Sequence, residues 1–432
     1  MRNILDALID DFHERELPEL VPRRLEMKWI PGKANVVTGM RRSGKTWFCY
    51  QQMRLLREKA LPKERLLYLN FEDERLLPFA AQHFQILLET YYRKFPQFKN
   101  QSCYLFLDEL QRIEGWDMFV RRVLDTENLF VCLTGSSSRL LSTEIATSLR
   151  GRSLTTEVFP FDFREFLDYR QVALTSVRNF GSQARATLQN LIAQYLKVGG
   201  FPEVQNLDDD LRREVLRNYL DVVILRDVVE RYFVRNTQAL RALIRHVFGA
   251  PATRFSVNKF YNALKSQGIS CSKNNLYECM DYLTDTFLFY QVPIYSRPER
   301  IRRVNPKKVY IIDPGLLEAM SFRMTEDRGA LLENLVFMHL RRKGLSPGYY
   351  LAGHGGEVDF VLTGEEGGRR LLIQVCWDLH EPATRKRELQ GLLSTMKELD
   401  VKQGTIVTWL DEDSSNESVQ IVPAWKWLLS GP

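Results

Sequence analysis

The feature that most constrains this chain is a glycine-rich turn near its N-terminus, residues 39–46, with the sequence GMRRSGKT. The turn matches GxxxxGK[ST]. It follows a β-branched stretch at Val36 and Val37, and it opens a helix-like run, TWFCYQQMRLLREKA. In this order, backbone N–H groups can surround phosphate oxygens, with the positive end of the helix dipole directed at them. The sequence therefore predicts a nucleotide site on an α/β core with a parallel sheet.

Individual residues of this turn have predicted tasks. Lys45 is expected to reach the β- and γ-phosphates, and Thr46 is expected to hold Mg²⁺. Arg41 and Arg42 either help to bind phosphate or are solvated loop charges, and the sequence leaves both interpretations open. The predicted cofactors are ATP and Mg²⁺, and the predicted cofactor-binding residues of the turn are Gly39, Arg42, Ser43, Gly44, Lys45 and Thr46.

A second apolar stretch, YLFLDEL, ends in two acids at the distance expected after such a turn. Asp108 is predicted to hold Mg²⁺ through water, and Glu109 is predicted to orient and deprotonate the attacking water. A third strand, LFVCLTGSSS, ends in Thr134, Ser136 and Ser137. A polar residue there, with Ser136 as the candidate, is expected to contact the γ-phosphate or the water. The alternative for any one of these serines is a simple Gly-Ser turn.

Two arginines flank a glycine just before the next strand, in the segment LRGRS. Arg150 and Arg152 are candidates for contacting the nucleotide of a neighbouring subunit, because arginine stays charged and its planar fork matches phosphate. The alternative is a surface salt bridge for either residue.

The chain is long enough for several domains. Its 432 residues correspond to about three domains of roughly 150 residues. A hydrophobic content of 44% and a charged content of 26% are typical of a globular protein and exclude a disordered one. The net charge of +6 permits an anionic partner without requiring one.

The sequence also predicts where the protein works. Its longest apolar runs are strand-sized, shorter than the ~18 residues of a membrane span, and the acidic, amphipathic N-terminus does not resemble a signal peptide. The six cysteines, at positions 49, 103, 132, 271, 279 and 376, form no CxxC pair, so we expect reduced thiols and no zinc site. We therefore expect a cytoplasmic protein without a membrane partner.

Residues beyond 165 become helical and then change to a helix–turn–helix–hairpin order. SQARATLQNLIAQYLKV stops at Gly199-Gly200, and LRREVLRNYLDVVILRDVVERYFVRN predicts another long helix. The helices FSVNKFYNALKSQG and SCSKNNLYECMDYLTDTFLF precede two extended stretches, which predicts a winged helix. Its basic hairpin tip is predicted to bind DNA phosphates through Arg297, Arg300, Arg302, Arg303, Lys307 and Lys308. The alternative is a winged helix that serves only as a packing module.

These motifs together resemble the bacterial and archaeal AAA-type ATPases that carry a winged helix and a nuclease-like C-terminal domain of unknown function. The resemblance implies ATP binding and hydrolysis at the positions above, and assembly into a homo-oligomer. It spans nearly the whole chain and rests on GMRRSGKT, LFLDELQRIEGW, GSSSRLL, LRGRS, FPFDFREFL, YLKVGGFPEV, LRDVVERYFVRN, NPKKVYIIDPGL, GALLENLVF, IQVCWDL and TRKREL.

The predicted division has four parts. Residues 1–168 are expected to form a P-loop AAA-type ATPase core, 169–238 a helical lid or linker, 239–322 a winged helix and 323–432 a nuclease-like domain. The predicted fold class is α/β, with a C-terminal α/β domain like that of restriction endonucleases.

The C-terminal domain matches the acidic skeleton of such nucleases but not its lysine. The resemblance carries the metal-binding acids over to Glu333 and Asp359, while Gln374 replaces the usual glutamate and Cys376 stands where the lysine is expected. Glutamine still offers a carbonyl oxygen to Mg²⁺, but a neutral thiol supplies no positive charge. Glu357 adds a carboxylate but no cation, and Arg369 and Arg370 lie too far along the strand. The sequence therefore predicts a degenerate site that binds DNA or a partner.

Three functions remain in competition at this point. The first is an ATPase that binds DNA and couples ATP turnover to conformational change or to movement on DNA. The second is a nucleotide-dependent switch or assembly protein that binds only proteins. The third is an active Mg²⁺-dependent nuclease.

Overall fold

The computed structural model describes residues 1–135, 149–172, 181–320, 327–353, 356–363 and 370–431. The chain divides into two compact units. The first comprises residues 1–159 with 285–287, and the second comprises residues 160–284 with 288–432.

The first unit contains a five-stranded parallel sheet in the order β2-β3-β4-β1-β5. This confirms the parallel sheet predicted from the sequence. In chain order its elements are α1 (Arg2–Glu14), β1 (Ala34–Thr38), α2 (Lys45–Glu58), β2 (Leu66–Asn70), α3 (His83–Lys94), β3 (Cys103–Asp108), α4 (Trp116–Thr126), β4 (Leu129–Thr134) and β5 (Ser153–Glu157).

Both faces of this sheet are covered by helices. Successive strand residues point to opposite faces, so Leu105 and Leu107 pack in the core that includes α1, α3 and α4, whereas Phe106 packs with Phe48 and Met53 of α2. Burial on both faces explains why the strands are apolar throughout. Because β3, β4 and β1 are parallel neighbours, the residues that follow them meet at one edge of the sheet.

The second unit begins with helices. These are α5 (Phe163–Tyr169), α6 (Ser182–Val198) and α7 (Asp209–Val222), and α7 continues into a π-helical stretch, Val223–Glu230. As the double glycine predicts, α6 ends at Val198, and Gly199, which caps it, has a φ of 76°. A Cβ there would lie 2.1 Å from Asp313 Oδ1. The buried Asp313 accepts hydrogen bonds from the backbone N–H groups of Gly200 (2.7 Å) and Leu316 (3.0 Å), and so joins the end of α6 to a distant segment.

Five helices and a three-stranded antiparallel sheet follow in the described chain, with the strand order β6-β8-β7. The two predicted helices and the two predicted extended stretches are confirmed as elements. In chain order the group consists of α8 (Thr237–Gly249), β6 (Arg254–Phe255), α9 (Val257–Ser266), α10 (Lys273–Asp285), β7 (Phe289–Val292), α11 (Glu299–Val304), β8 (Lys307–Ile311) and α12 (Pro314–Met320).

The connection between β7 and β8 differs from its prediction. Residues 297–307 were expected to form the tip of a hairpin, but Glu299–Val304 form the short helix α11. Arg303 Nη2 donates to Glu299 Oε1 (2.6 Å) one helical turn earlier, which supports this helix. Asn305 is extended, with a ψ of 146°, because the residue before a proline avoids the helical region. The helix therefore ends at Val304.

The C-terminal part contains a mixed five-stranded sheet in the order β13-β12-β11-β10-β9. Strands β9, β10 and β11 are antiparallel to one another, and β11, β12 and β13 are parallel. The predicted helix, two strands and following helix are confirmed as elements, whereas the turn at 364–369 lies outside the described residues. The elements are α13 (Arg328–Arg342), β9 (Gly348–Leu351), β10 (Glu357–Thr363), β11 (Arg370–Cys376), α14 (Pro382–Glu398), β12 (Gly404–Thr408), β13 (Val419–Pro423) and α15 (Ala424–Ser430).

Among the residues that the structure describes, no helix is both long enough and apolar enough to cross a membrane.

Candidate functional site

The glycine-rich turn lies between β1 and α2, as its sequence predicts. Gly39 has a φ of 140°, and a Cβ on it would lie 2.1 Å from the Val158 carbonyl oxygen, so only glycine fits. Gly44 is left-handed, with a φ of 100°, and Lys45 is the first residue of α2. The turn therefore carries the chain from the carboxyl end of a central strand directly into a helix N-terminus.

Lys45 already lies within this turn. Its side chain is 6% exposed, and its Nζ donates to the carbonyl oxygens of Gly39 and Met40, both at 3.2 Å. The buried Ser43 Oγ has no hydrogen-bond partner among the described residues. Arg42 is exposed, with a φ of 66°. An anion that entered the turn would meet the ammonium group and a free hydroxyl group, so these residues fit a phosphate.

Asp108 ends β3 and is almost fully buried. One carboxylate oxygen accepts hydrogen bonds from Thr46 Oγ1 (2.7 Å) and from the Tyr68 hydroxyl (2.9 Å), and the other accepts from Thr134 Oγ1. Burial raises the pKa of Asp108, and these hydrogen bonds oppose the increase. The structure thus brings together the two residues predicted to hold Mg²⁺. Thr46 and Asp108 offer the hydroxyl and carboxylate oxygens that this ion prefers.

Glu109 follows Asp108 and has a left-handed backbone, with a φ of 54°. Its N–H donates to Thr134 Oγ1 (2.9 Å), and its carboxylate lies 3.9 Å from Lys45 Nζ. Thr134 therefore fixes both acids at once. The sequence indicated a polar residue at the end of β4 but not its contact with Asp108. Ser136 and Ser137 lie outside the described residues.

Tyr68 was missed by the sequence reasoning. It lies on β2, beside β3, and donates to Asp108. A tyrosine within the apolar stretch RLLYLNF was the available signal, because a buried hydroxyl group usually has a polar partner.

Arg150 and Arg152 lie at the amino-terminal end of β5, whereas the glycine-rich turn follows the carboxyl end of β1. They precede β5, which runs parallel to β1 with Ala34 beside Ser153 and Thr38 beside Glu157. Arg152 forms an ion pair with Asp125, whereas Arg150 is exposed. Neither side chain is therefore near the glycine-rich turn of its own chain, and their predicted role across a subunit interface stays a prediction.

The acids of the C-terminal domain surround a lysine from another strand. Lys308 of β8 is 3% exposed, and its Nζ lies 2.7 Å from Glu333, 2.6 Å from Glu357 and 2.9 Å from Asp359. The prediction that Lys308 contacts DNA is therefore wrong. Side chains alternate along a strand, so Lys307 is partly exposed while Lys308 points inward. The prediction that no cation stands beside these carboxylates is also wrong.

Gln374, on β11, contacts Asp359, because its Oε1 accepts from the Asp359 N–H (3.3 Å), and Gln374 and the nearby Cys376 also make contacts outside the carboxylates around Lys308. Gln374 Nε2 donates to Glu388 (3.0 Å), and the Cys376 thiol donates to the Asp378 carbonyl oxygen (3.1 Å). Burial, followed by the nearby Glu388, raises the pKa of Cys376 to about 11, so the thiol is neutral near pH 7, as expected. Arg370 donates to the Leu399 carbonyl oxygen (2.6 Å), and Arg369 lies outside the described residues.

The remaining basic residues of the predicted DNA surface are accessible. Arg297, Arg300, Arg302 and Arg303 are exposed and Lys307 is partly exposed, with Glu299 as the one acid between 297 and 307. In the described parts of the chain, with Lys308 in place among its carboxylates, no group of three or more His, Cys, Asp and Glu side chains is arranged to hold a metal ion, and all six cysteines are free thiols.

Comparison with known families matches the chain in three consecutive segments. Residues 31–167 match the AAA domain, residues 189–327 match a domain of unknown function (DUF8612), and residues 328–427 match a second domain of unknown function (DUF4143). The parallel sheet, the glycine-rich turn and the first segment together define an AAA-type ATPase with a P-loop core.

The chain also has full-length relatives. The uncharacterised protein MJ1544 of Methanocaldococcus jannaschii is 35% identical over 98% of this chain and 95% of the relative, and the chain belongs to its family. An uncharacterised protein of Haemophilus influenzae is 29% identical over 91% of this chain and 94% of the relative.

Solved structures give weaker similarities. The Aeropyrum pernix ORC1 protein, solved in complex with DNA, is 14% identical with a TM-score of 0.30, over 67% of this chain and 86% of that chain. Cdc6p of Pyrobaculum aerophilum is 12% identical with a TM-score of 0.25, over 74% of this chain and 91% of that chain. At these TM-scores the similarities support no conclusion about this chain.

Proposed function

We propose that the chain hydrolyses ATP with Mg²⁺ at the site formed by the turn at 39–46, Asp108 and Glu109. The observation that carries this proposal is the convergence of Lys45, Thr46, Asp108 and Glu109 at one edge of the sheet, with Thr134 contacting both acids. Lys45 and the N–H groups of the turn bind the phosphates, and Thr46 and Asp108 hold Mg²⁺. Glu109 orients the attacking water and accepts its proton.

ATP turnover by the purified protein tests this proposal. We expect hydrolysis that requires Mg²⁺ and that is lost in Lys45→Ala, because the ammonium group that meets the β- and γ-phosphates is removed. The matched control is Lys33→Ala, which changes a partly exposed lysine at the opposite end of the same sheet. No turnover by the wild type, or equal turnover by wild type and Lys45→Ala, would contradict the proposal.

The arginine role belongs to an assembled form of the protein. We propose that Arg150 contacts the nucleotide of a neighbouring subunit in a homo-oligomer, because it is exposed while Arg152 is occupied by Asp125. Mixing Arg150→Ala with Glu109→Gln subunits tests this role. Of the two kinds of mixed interface, one pairs the intact site of the Arg150→Ala subunit with the intact arginine of the Glu109→Gln subunit, and the other has neither. Activity that recovers on mixing therefore supports the role. Activity that does not recover argues against it.

We further propose that residues 237–311 form a winged helix that binds DNA through the basic segment, residues 297–307. The order helix, strand, helix, helix, strand, short helix, strand supports this assignment, with α11 between the last two strands. Four exposed arginines and Lys307 against one acid form a phosphate-binding surface. The recognition helix α10 contributes less, since Lys273, Asn274 and Asn275 at its start are followed by Glu278 and Asp281.

DNA binding at two salt concentrations tests the basic segment. The variant Arg300→Glu/Arg302→Glu should weaken binding and flatten its salt dependence, because each lost phosphate contact reduces the number of released counterions. The matched control, Lys259→Glu/Lys265→Glu, changes the net charge equally on the exposed face of α9. Equal losses in both variants would mean that overall charge, and not this segment, governs binding.

One observation favours the second candidate, a switch that binds a protein partner. Val304 is 74% exposed and Ile301 is 41% exposed, and both lie on α11 among the arginines. Rates of ATP hydrolysis with single-stranded, duplex and branched DNA separate the candidates. Stimulation by DNA supports coupling of turnover to DNA, whereas unchanged rates and no DNA binding would favour the protein-binding switch.

A further inference from the structure

The ammonium group of Lys308 is saturated by carboxylates. A lysine ammonium has three N–H donors and no acceptor. Oxygens of Glu333, Glu357 and Asp359 lie 2.6–2.9 Å from the Lys308 Nζ, one carboxylate for each donor. No donor remains for a phosphate or a water molecule, and the side chain is only 3% exposed.

The neighbouring groups complete this arrangement. The Tyr310 hydroxyl, on the same face of β8, donates to Glu333 (2.6 Å), and the backbone N–H of Val375 donates to Asp359 (2.9 Å). Arg254 lies 3.5 Å from Glu357 and supplies a second positive charge. Each of the three carboxylates therefore has a second partner in this chain besides Lys308.

The contacts also join two parts of the second unit. Lys308 and Tyr310 belong to β8 of the three-stranded sheet, whereas Glu333 lies on α13 and Asp359 on β10 of the C-terminal part. Lys308 and Asp359 are 51 residues apart in sequence. The cluster consequently acts as an ionic cross-link between two sheets that, among the described residues, do not pair with each other through β8.

We infer that the three carboxylates form a cation site that the chain fills with its own lysine, so that the Lys308 ammonium occupies the place of a divalent metal ion. The position suits a hard cation, because oxygens from three carboxylates converge on one point. In wild type the ammonium excludes a metal, and the cluster holds β8 against the C-terminal part. This inference goes beyond the proposed ATPase, which does not use these residues.

Mn²⁺ binding and thermal unfolding of the full-length chain test the inference. Every variant carries Asp108→Asn and is measured without nucleotide, so that the ATP site contributes no metal. The background protein should bind no Mn²⁺ that depends on Asp359, and its melting temperature should be the same in EDTA and in Mn²⁺. Adding Lys308→Ala should lower the melting temperature in EDTA, create one Mn²⁺ site and recover part of the lost melting temperature in Mn²⁺. A further Asp359→Asn should remove the new site.

The matched control is Lys307→Ala, which removes the adjacent lysine on the outer face of β8. It should create no Mn²⁺ site and leave the melting temperature unchanged. If Lys308→Ala does not fold, Mn²⁺ binding by the Asp108→Asn protein alone tests the inference. One Mn²⁺ ion bound by this protein and lost on adding Asp359→Asn would overturn the inference, and no such bound ion would support it. Mg²⁺-dependent DNA cleavage that requires Lys308 would also overturn it, because the ammonium would then serve chemistry.

Discussion

Two buried lysines in this molecule stand beside carboxylates, and their surroundings differ. Lys45 donates to two backbone carbonyl oxygens at 3.2 Å and lies 3.9 Å from its acid, Glu109. Lys308 has three carboxylates within 2.9 Å. Their exposures are similar, 6% and 3%. Burial therefore does not distinguish them. The difference is that the Lys45 ammonium can still bind an incoming anion, whereas the charge of the Lys308 ammonium is already balanced by carboxylates.

This contrast explains how one chain can carry two sites of similar composition with different roles. A lysine held by weak acceptors next to a glycine-rich turn can transfer its hydrogen bonds to phosphate. A lysine held by three carboxylates would lose more than it gained by doing so. Under the proposed function, the same argument predicts chemistry in the first unit and cohesion in the second.

The largest expected effect is on stability at the second lysine. Lys308→Ala leaves three carboxylates without their central cation, and breaking a buried ion pair costs about 3–5 kcal/mol. Chemical denaturation should show this loss in the free energy of unfolding. Lys45→Ala, measured in parallel, should cost about 1 kcal/mol, since its hydrogen bonds go to carbonyl oxygens and its acid, Glu109, lies as far away as 3.9 Å. Equal losses would remove the distinction between the two lysines.

The next effect is on catalysis at the first site. Glu109→Gln keeps the size of the side chain but cannot accept a proton, so kcat for ATP should fall about 10³-fold. ATP binding, followed by calorimetry, should be retained because Lys45 and the turn are unchanged. A small loss in kcat would mean that another residue activates the water.

A third buried charged group, Asp313, extends the comparison, because it can be tested through the pH dependence of stability. Burial raises the pKa of Asp313 from 3.8 to about 6, against hydrogen bonds from Gly200 and Leu316. The pKa of Asp313 is higher in the folded than in the unfolded state, so its protonated form stabilises the folded chain. This contribution, about 3 kcal/mol, is fully present below about pH 4 and is lost as the pH rises through about 6. Denaturation of the wild type should therefore show a free energy of unfolding that falls as the pH rises from 4 to 7. Asp313→Asn should lack this fall, and a fall that persists in the variant would assign it to other groups.

The smallest effect concerns the residue that contacts both acids of the first site. Thr134→Val keeps the shape but removes the hydroxyl group that Asp108 and the Glu109 N–H use. We expect a loss in kcat of about 10-fold, equivalent to one side-chain hydrogen bond. Steady-state kinetics provide the measurement, and Thr126→Val, on the exposed end of α4, is the matched control.

Much of the first unit could be predicted from the sequence because its signals are local. The turn at 39–46, the strand that ends at Asp108 and the polar end of β4 each lie within a few residues of their neighbours in the structure. The parallel sheet then brings them to one edge. The role of Tyr68 was missed because it depends on which strand lies beside β3.

The second unit could be predicted less well, because its central contact is not local. Nothing near Asp359 in sequence supplies a cation, and Lys308 reaches it from a strand 51 residues earlier. Lys307 and Lys308 are identical residues in a basic run, and only the alternation of side chains along β8 separates surface from core. The helix α11 was missed because arginine runs resemble loops, although arginine favours helices.

One paired measurement tests the central claim most directly: ATP turnover per folded molecule and the free energy of unfolding, for Lys45→Ala and Lys308→Ala. We predict that Lys45→Ala abolishes turnover with little loss of stability, and that Lys308→Ala loses stability while the folded fraction retains turnover. Loss of turnover in folded Lys308→Ala, or turnover that survives in Lys45→Ala, would contradict the assignment of chemistry to one lysine and cohesion to the other.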